Sequence, residues 1–175
     1  MNIFVTDPNP LKSAKVLPDK HIVKMPLETC QMLAIVCSEK WGHGFGTLPK
    51  ADGQPYKTTT GAFRNHPCTI WANSFVNNWR WLLAHGFALC DEYSLRYGKP
   101  HTCFNTLQAA NEILPCADPQ GRSGKGPTSF VFAGPDEFKY NETVDIYTKY
   151  KMYIASKPWV KDNYLRLPDR KPEWV

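Results

Sequence analysis

The sequence predicts a mainly α, compact, single-domain helical fold with long loops and an irregular C-terminal tail. Three observations carry this expectation. Several stretches bring apolar residues back every three or four positions, the period of a buried helix face. No two alternating apolar and polar runs are joined by a hairpin turn. A length of 175 residues suits one domain with its own core.

The elements follow in order. "MNIFV" is too short for a helix and reads as an extended lead-in. "TDPNP" is a turn cluster in which Pro8 and Pro10 set φ. "LKSAKV" suits a short helical turn. Asp19, after Pro18, marks a helix start, with apolar residues recurring to Val36 or Trp41. Pro26 is expected to kink or break this helix, because it lacks an N–H and crowds the preceding turn. Residues 42–65 form a loop rich in Gly, Thr and Lys, long enough to be mobile or functional. A long helix is expected from Asn65 to Gly98, with Pro67 in its first turn and Gly98 as its C-terminal cap. Trp71, Phe75 and Trp79 would form its core stripe. "HTCFNTLQAANEIL" is a third helix ended by Pro115, and residues 115–130 form a second long loop. Asn141 is expected to cap a fourth helix that stops at Pro158. Residues 158–175 make an aromatic and basic tail.

Composition narrows the function classes. Hydrophobic content of 42% and charged content of 21% are ordinary for a globular protein. No apolar run approaches the length of a membrane helix, so no membrane partner is expected. The N-terminus lacks a basic leader and an apolar core, so no secretory signal is expected either. Cys30, Cys37, Cys68, Cys90, Cys103 and Cys116 are scattered without a Cys-x-x-Cys pair, which suits reduced, buried thiols and a cytoplasmic location. The net charge of +5 permits an acidic partner such as nucleic acid without demanding one.

Several constellations carry candidate chemistry. At 100° per residue, His21, Lys24, Glu28 and Gln31 fall on one narrow line of the Asp19 helix. That line is either a solvated polar face or the wall of a cleft with a carboxylate and proton-transfer groups. Asn78, His85, Glu92 and Arg96 form a matching line on the long helix. Glu92 and Arg96 make an i, i+4 pair there, and the line is either a surface pair with a packing histidine or the far wall of one groove. Arg64 and His66 close the first loop as candidate nucleic-acid contacts. His66-x-Cys68 and His101-x-Cys103 fit no familiar zinc spacing, so neither metal nor cofactor is expected. "GRSGKGPTS" fails the phosphate-loop pattern, though Arg122 and Lys125 with the loop amides would suit a phosphate. In the tail, Lys157, Trp159, Lys161 and Tyr164 interleave charge with aromatic faces. That combination binds phosphates and stacks on unpaired bases, or else is core with a solvated fringe.

Four blocks, "DPNPLKSAKVLPDKHIVKMPLE", "NHPCTIWANSFVNNWRWLL", "EYSLRYGKPH" and "PEWV", resemble a group of small phage proteins. More distantly they resemble the pyrimidine-dimer DNA glycosylase (endonuclease V) family. In that family the first long helix carries Asp, His two positions on, and a catalytic Glu seven positions after the His. Asp19, His21 and Glu28 stand at those spacings. The "RYG" helix end and "SKPWVKDNY" in the tail are similar too. The resemblance implies a damaged or modified DNA substrate and a monomer, in the host cytoplasm if the chain is phage-encoded. It also implies an N-terminal amine that attacks deoxyribose C1′, expels the base and forms a Schiff base. The family exposes a small Thr by removing its initiator Met. Here Asn2 disfavours that removal, which makes the Met1 amine the implied nucleophile and Lys24 the alternative. Leu27 and Gln31 stand where the family has arginines. Two other readings remain at this level. One is an enzyme on the same scaffold acting on a nucleotide, modified base or other small molecule, in a pocket of His21, Glu28, His85 and Glu92. The other is a non-catalytic nucleic-acid-binding module.

Overall fold

The computed structural model describes residues 1–61, 63–119, 124 and 126–175. Arg122 and Lys125 therefore lie outside the described residues. Within these bounds the chain is helical and without strands: α1 (Pro10–Lys15), α2 (Asp19–Cys37), α3 (Pro67–Ser74), α4 (Val76–Tyr97), α5 (Phe104–Ala117), α6 (Asp136–Lys139) and α7 (Ile146–Ala155). Two 3₁₀ turns, Val160–Asp162 and Pro168–Arg170, interrupt an otherwise irregular tail.

Helix α2 lies at the centre and packs on α3, α4 and α5. It is buried on most of its circumference, as expected of a helix with neighbours on several sides. Gly86 on α4 lets the two axes approach, since a Cβ there would meet Thr29 Cγ2 at 2.8 Å. Pro26 neither breaks nor ends α2, contrary to the expectation from sequence. Its ring is buried, and packing against the surrounding helices outweighs the one hydrogen bond that Ile22 C=O forgoes.

The predicted long helix is in fact two. Phe75 is extended (φ −147°, ψ 143°) and separates α3 from α4. The core stripe is corrected accordingly: Trp71 and Trp79 are buried, while Phe75 is 59% exposed. Asn78 holds the break together. Its Nδ2 donates to Trp71 O at 2.7 Å, and its Oδ1 accepts from Thr128 N at 2.7 Å. The expected caps at either end are present, Pro67 in the first turn of α3 and Gly98 in the left-handed conformation (φ 68°) after α4. Helix α5 passes through Pro115 to Ala117, so the second loop begins at Asp118; with one turn left, the ring removes little. Helix α7 begins at Ile146 because Asp145, not Asn141, accepts from Thr148 N at 2.7 Å. The Asn141 side chain instead accepts from Thr143 N in a local turn.

Two features fix how α2 begins. Pro18 supplies no side-chain cap, and the tail does so instead: Asp19 N donates to Asn163 O and Lys20 N to Asn163 Oδ1, both at 2.8 Å. The second feature is Arg96, whose side chain has no solvent exposure. It donates to Asp19 Oδ1 at 3.1 Å, Leu17 O at 2.8 Å, Lys15 O at 2.9 Å and Glu92 Oε2 at 3.2 Å. Arg170 from the tail closes on the same Glu92, with Nη2 3.0 Å from Oε1. The Glu92–Arg96 pair is thus a buried junction of α1, α2, α4 and the tail, and not an isolated surface pair.

Arg96→Leu takes the Arg96 donors from two enclosed carboxylates and two carbonyls, leaving Arg170 on Glu92 and Arg166 N on Asp19, and is expected to cost about 3–5 kcal/mol in urea unfolding. Asn163→Ala removes the side-chain half of the cap and is expected to cost about 1 kcal/mol.

Candidate active site

The site grows from the N-terminal segment. Residues 2–6 are buried, with Ile3 and Val5 in the core. The Asn2 side-chain oxygen accepts from Ile3 N at 2.8 Å and Phe4 N at 3.2 Å, which curls the backbone behind it. Phe4 takes φ 42°, a left-handed conformation that an aromatic residue rarely adopts; such strain is concentrated at functional sites. Asn2 Nδ2 also donates to Ala133 O. Ala133 is itself held from α7, its N–H donating to Tyr150 Oη at 3.1 Å while that hydroxyl donates to Val131 O at 2.9 Å.

This arrangement sets the Met1 amine 3.6 Å from Glu28 Oε2. Lys24 Nζ lies 3.2 Å from the other carboxylate oxygen. Two amines therefore share one carboxylate. The Glu28 side chain is 9% exposed and that of Lys24 71%. A cavity of about 400 Å³ opens beside them, with Asn2, His21, Lys20, Tyr153, Lys157 and Trp159 among its walls. His21 stacks on Phe4 with ring centroids 4.2 Å apart and meets Trp159 edge-on. Lys157 Nζ lies 4.1 Å from the Tyr153 ring centre, and Lys20 Nζ 4.6 Å from that of Trp159.

Burial lowers the His21 pKa to about 3, and the Lys157 and Lys24 ammonium groups push the same way. The ring is neutral at physiological pH, and its Nδ1 has no hydrogen-bond partner among the described residues. The arrangement offers a primary amine for nucleophilic attack, a carboxylate for a developing cation, ammonium groups for phosphates and ring faces for a base.

Met1, Asn2, His21, Lys24, Glu28, Lys157 and Trp159 are brought together, and other expected residues are placed elsewhere. Gln31 lies farther along α2 and lines a neighbouring cavity of about 650 Å³ with Leu27, Tyr56, Phe63 and Cys103. Arg64 covers the Trp41 ring at 3.8 Å. His85 is 1% exposed and stacks on Trp81, a packing histidine and not a groove wall. Glu92 and Arg96 belong to the buried junction. Lys161 is exposed outside the cavity, and buried Tyr164 donates to Val16 O at 2.8 Å. Asp19 likewise pairs with Arg96 and accepts from Arg166 N.

The two His-x-Cys pairs turn out to be backbone devices. His66 Nδ1 accepts from Cys68 N at 3.2 Å to cap α3, and His101 Nδ1 accepts from Cys103 N at 3.1 Å before α5. Among the described residues no His, Cys, Asp or Glu group is arranged to hold a metal. His66 is still close to the site. Burial lowers its pKa first, the Met1 ammonium lowers it further, and the Glu28 carboxylate opposes both. Phe4, Lys20, Tyr153 and Ala133 are wall residues that no local motif marks. The tyrosine-rich α7 is the one compositional hint of them.

Burial also lowers the His85 pKa to about 3. For both His21 and His85 the folded pKa lies below the unfolded value near 6.5, so the unfolded chain takes up protons first. Their contribution to stability is complete above pH 6.5 and falls as pH drops toward 3, by up to about 1.4 kcal/mol per pH unit for each. The ring resonances of both are expected to show no titration between pH 8 and 4.5.

A family model described as pyrimidine dimer DNA glycosylase matches residues 1–105. The matched span carries Met1, His21, Lys24 and Glu28, while Lys157 and Trp159 lie beyond it. A search of curated proteins and one of solved structures each return no match. No helix among the described residues is long and apolar enough to cross a membrane. With 105 of its 175 residues matched, the chain belongs to the pyrimidine dimer DNA glycosylase family.

Proposed function

We propose that this protein is a DNA glycosylase with lyase activity, in which the α-amine of Met1 is the nucleophile and Glu28 the essential carboxylate. The observation that carries the reading is the 3.6 Å approach of that amine to Glu28 at the edge of a cavity with basic and aromatic walls. The amine lone pair attacks C1′ of the damaged nucleotide. The glycosidic C–N bond breaks, its electron pair leaves with the base, and the base takes up a proton. Glu28 stabilises the positive charge that builds at the sugar. Loss of a proton from the amine nitrogen and opening of the sugar ring give an imine. Removal of a C2′ proton then expels the 3′ phosphate by β-elimination, and water releases the product.

Met1 is favoured over Lys24 by general acid–base chemistry. An ordinary α-amine titrates near 8 and an ordinary lysine near 10.4, so roughly two hundredfold more of the former is unprotonated near neutrality. Lys24 then serves as a second cation on Glu28 and a contact for a DNA phosphate. Lys20 and Lys157 supply further positive charge, and Trp159 and Tyr153 offer stacking faces for a base drawn out of the helix. The small-molecule reading loses its four-residue pocket, because His85 and Glu92 lie away from the cavity.

Borohydride is expected to trap a covalent adduct between the protein and duplex DNA holding an abasic site or a pyrimidine dimer. Proteolysis should map the adduct to the N-terminal peptide. Glu28→Gln is expected to slow single-turnover base release by about a hundredfold or more. Lys24→Ala should weaken DNA binding and still give the adduct. An adduct on Lys24 would reassign the nucleophile. No adduct with any lesion, on a chain whose N-terminus is intact by mass, would remove the mechanism and favour a DNA-binding module.

A further inference from the structure

The Met1 side chain is 2% exposed, and its Sδ accepts a hydrogen bond from Thr69 Oγ1 at 3.3 Å. Thr69 is fully buried in the first half of α3. A helical threonine ordinarily returns its hydroxyl to the carbonyl three or four residues earlier. Here the hydroxyl is directed to a thioether, a weak acceptor that a buried donor takes when geometry offers it. His66 lies one turn earlier on α3 and feels both the Met1 ammonium and Glu28. The start of α3 thus faces the amine. Asn2 fixes the chain after Met1, and Thr69 fixes Met1 itself.

We propose that Thr69 is a positioning residue for the nucleophile. Its hydroxyl holds the Met1 thioether so that the α-amine stays against Glu28, which makes the methionine side chain a working part of the site. The inference rests on the reading of Met1 as nucleophile. Asn2 and Thr69 act on opposite sides of that residue, one through the backbone and one through the side chain. With the sulfur released, the amine is free to turn about the first Cα, and attack on C1′ loses its fixed line.

The test is single-turnover borohydride trapping with excess protein on an abasic duplex, alongside a measurement of duplex affinity. Thr69→Val is expected to trap roughly tenfold more slowly with affinity unchanged, the signature of lost orientation. Thr69→Ser keeps the hydroxyl and is expected to stay within about twofold of the parent chain. Norleucine in place of methionine keeps the side-chain shape without the sulfur. It should slow the parent chain to a similar extent and leave Thr69→Val no slower than before, as coupling through one contact requires. If the parent chain forms no adduct, the nucleophile reading itself fails. If the parent chain traps and Thr69→Val traps as fast, the positioning role is overturned. Should Thr69→Val not fold, the norleucine chain decides: trapping at full speed overturns the role, and slowed trapping at unchanged affinity supports it.

Discussion

A guanidinium sealed from water sets the position of everything else in this protein. Arg96 has no solvent to fall back on, so each of its donors must meet an acceptor, and those acceptors come from the end of α1, the start of α2 and its own helix. Such a cluster has few alternative arrangements, because any shift strands a charge. It locks the first turn of α2 in azimuth as well as in place. His21, Lys24 and Glu28 follow at helical intervals, so the direction in which Glu28 points is settled at Asp19. The tail adds to this through Asn163, which caps the same turn, and Arg170, which completes the partners of Glu92. The cluster lies outside the cavity and yet determines where its carboxylate stands.

The site is assembled from distant parts of the chain. The amine comes from the first residue, the carboxylate from α2, the thioether anchor from α3, and the walls from α7 and the tail. The left-handed Phe4 is stabilised by several of these partners at once. Its ring stacks on His21 and neighbours Tyr150 and Tyr153, and its N–H is bonded to Asn2. Local strain held by surrounding contacts keeps the N-terminus from fraying and holds its amine beside Glu28. Lys20, Lys24 and Lys157 against the one carboxylate of Glu28 leave the cavity lining with an excess of basic side chains.

What was legible in the sequence was local. The Asp19 start of α2, Pro67 in the first turn of α3 and the Gly98 cap each depend on one or two neighbouring residues. The line of His21, Lys24 and Glu28 was legible as a line, because helical geometry alone places those side chains together. Gln31 lies at the next step and leaves the cavity, since helical spacing says nothing about where a cleft ends. The break at Phe75 was hidden because Asn78, which holds it, is itself held by Thr128, 50 residues further on in sequence. The unbroken passage through Pro26 was hidden for the same kind of reason, tertiary packing overriding a local preference. His85, Glu92 and Arg96 were seen as a polar line on α4, but a line of polar residues looks the same whether it meets water, ligand or buried partners. Only the partners distinguish these, and they are far away in sequence.

The wall that closes the cavity carries a consequence of its own. Met1, His21 and Glu28 stand early in the sequence, whereas Lys157 and Trp159, together with the Asn163 that caps α2, stand far later. The cavity therefore exists only where the tail has folded back over the first turn of α2. Its shape is a long-range property of the fold, while the approach of Met1 to Glu28 rests on the packing of residues 2–6 near the other end of the sequence. A tail that loosened would take two walls of the chamber with it and leave that approach standing.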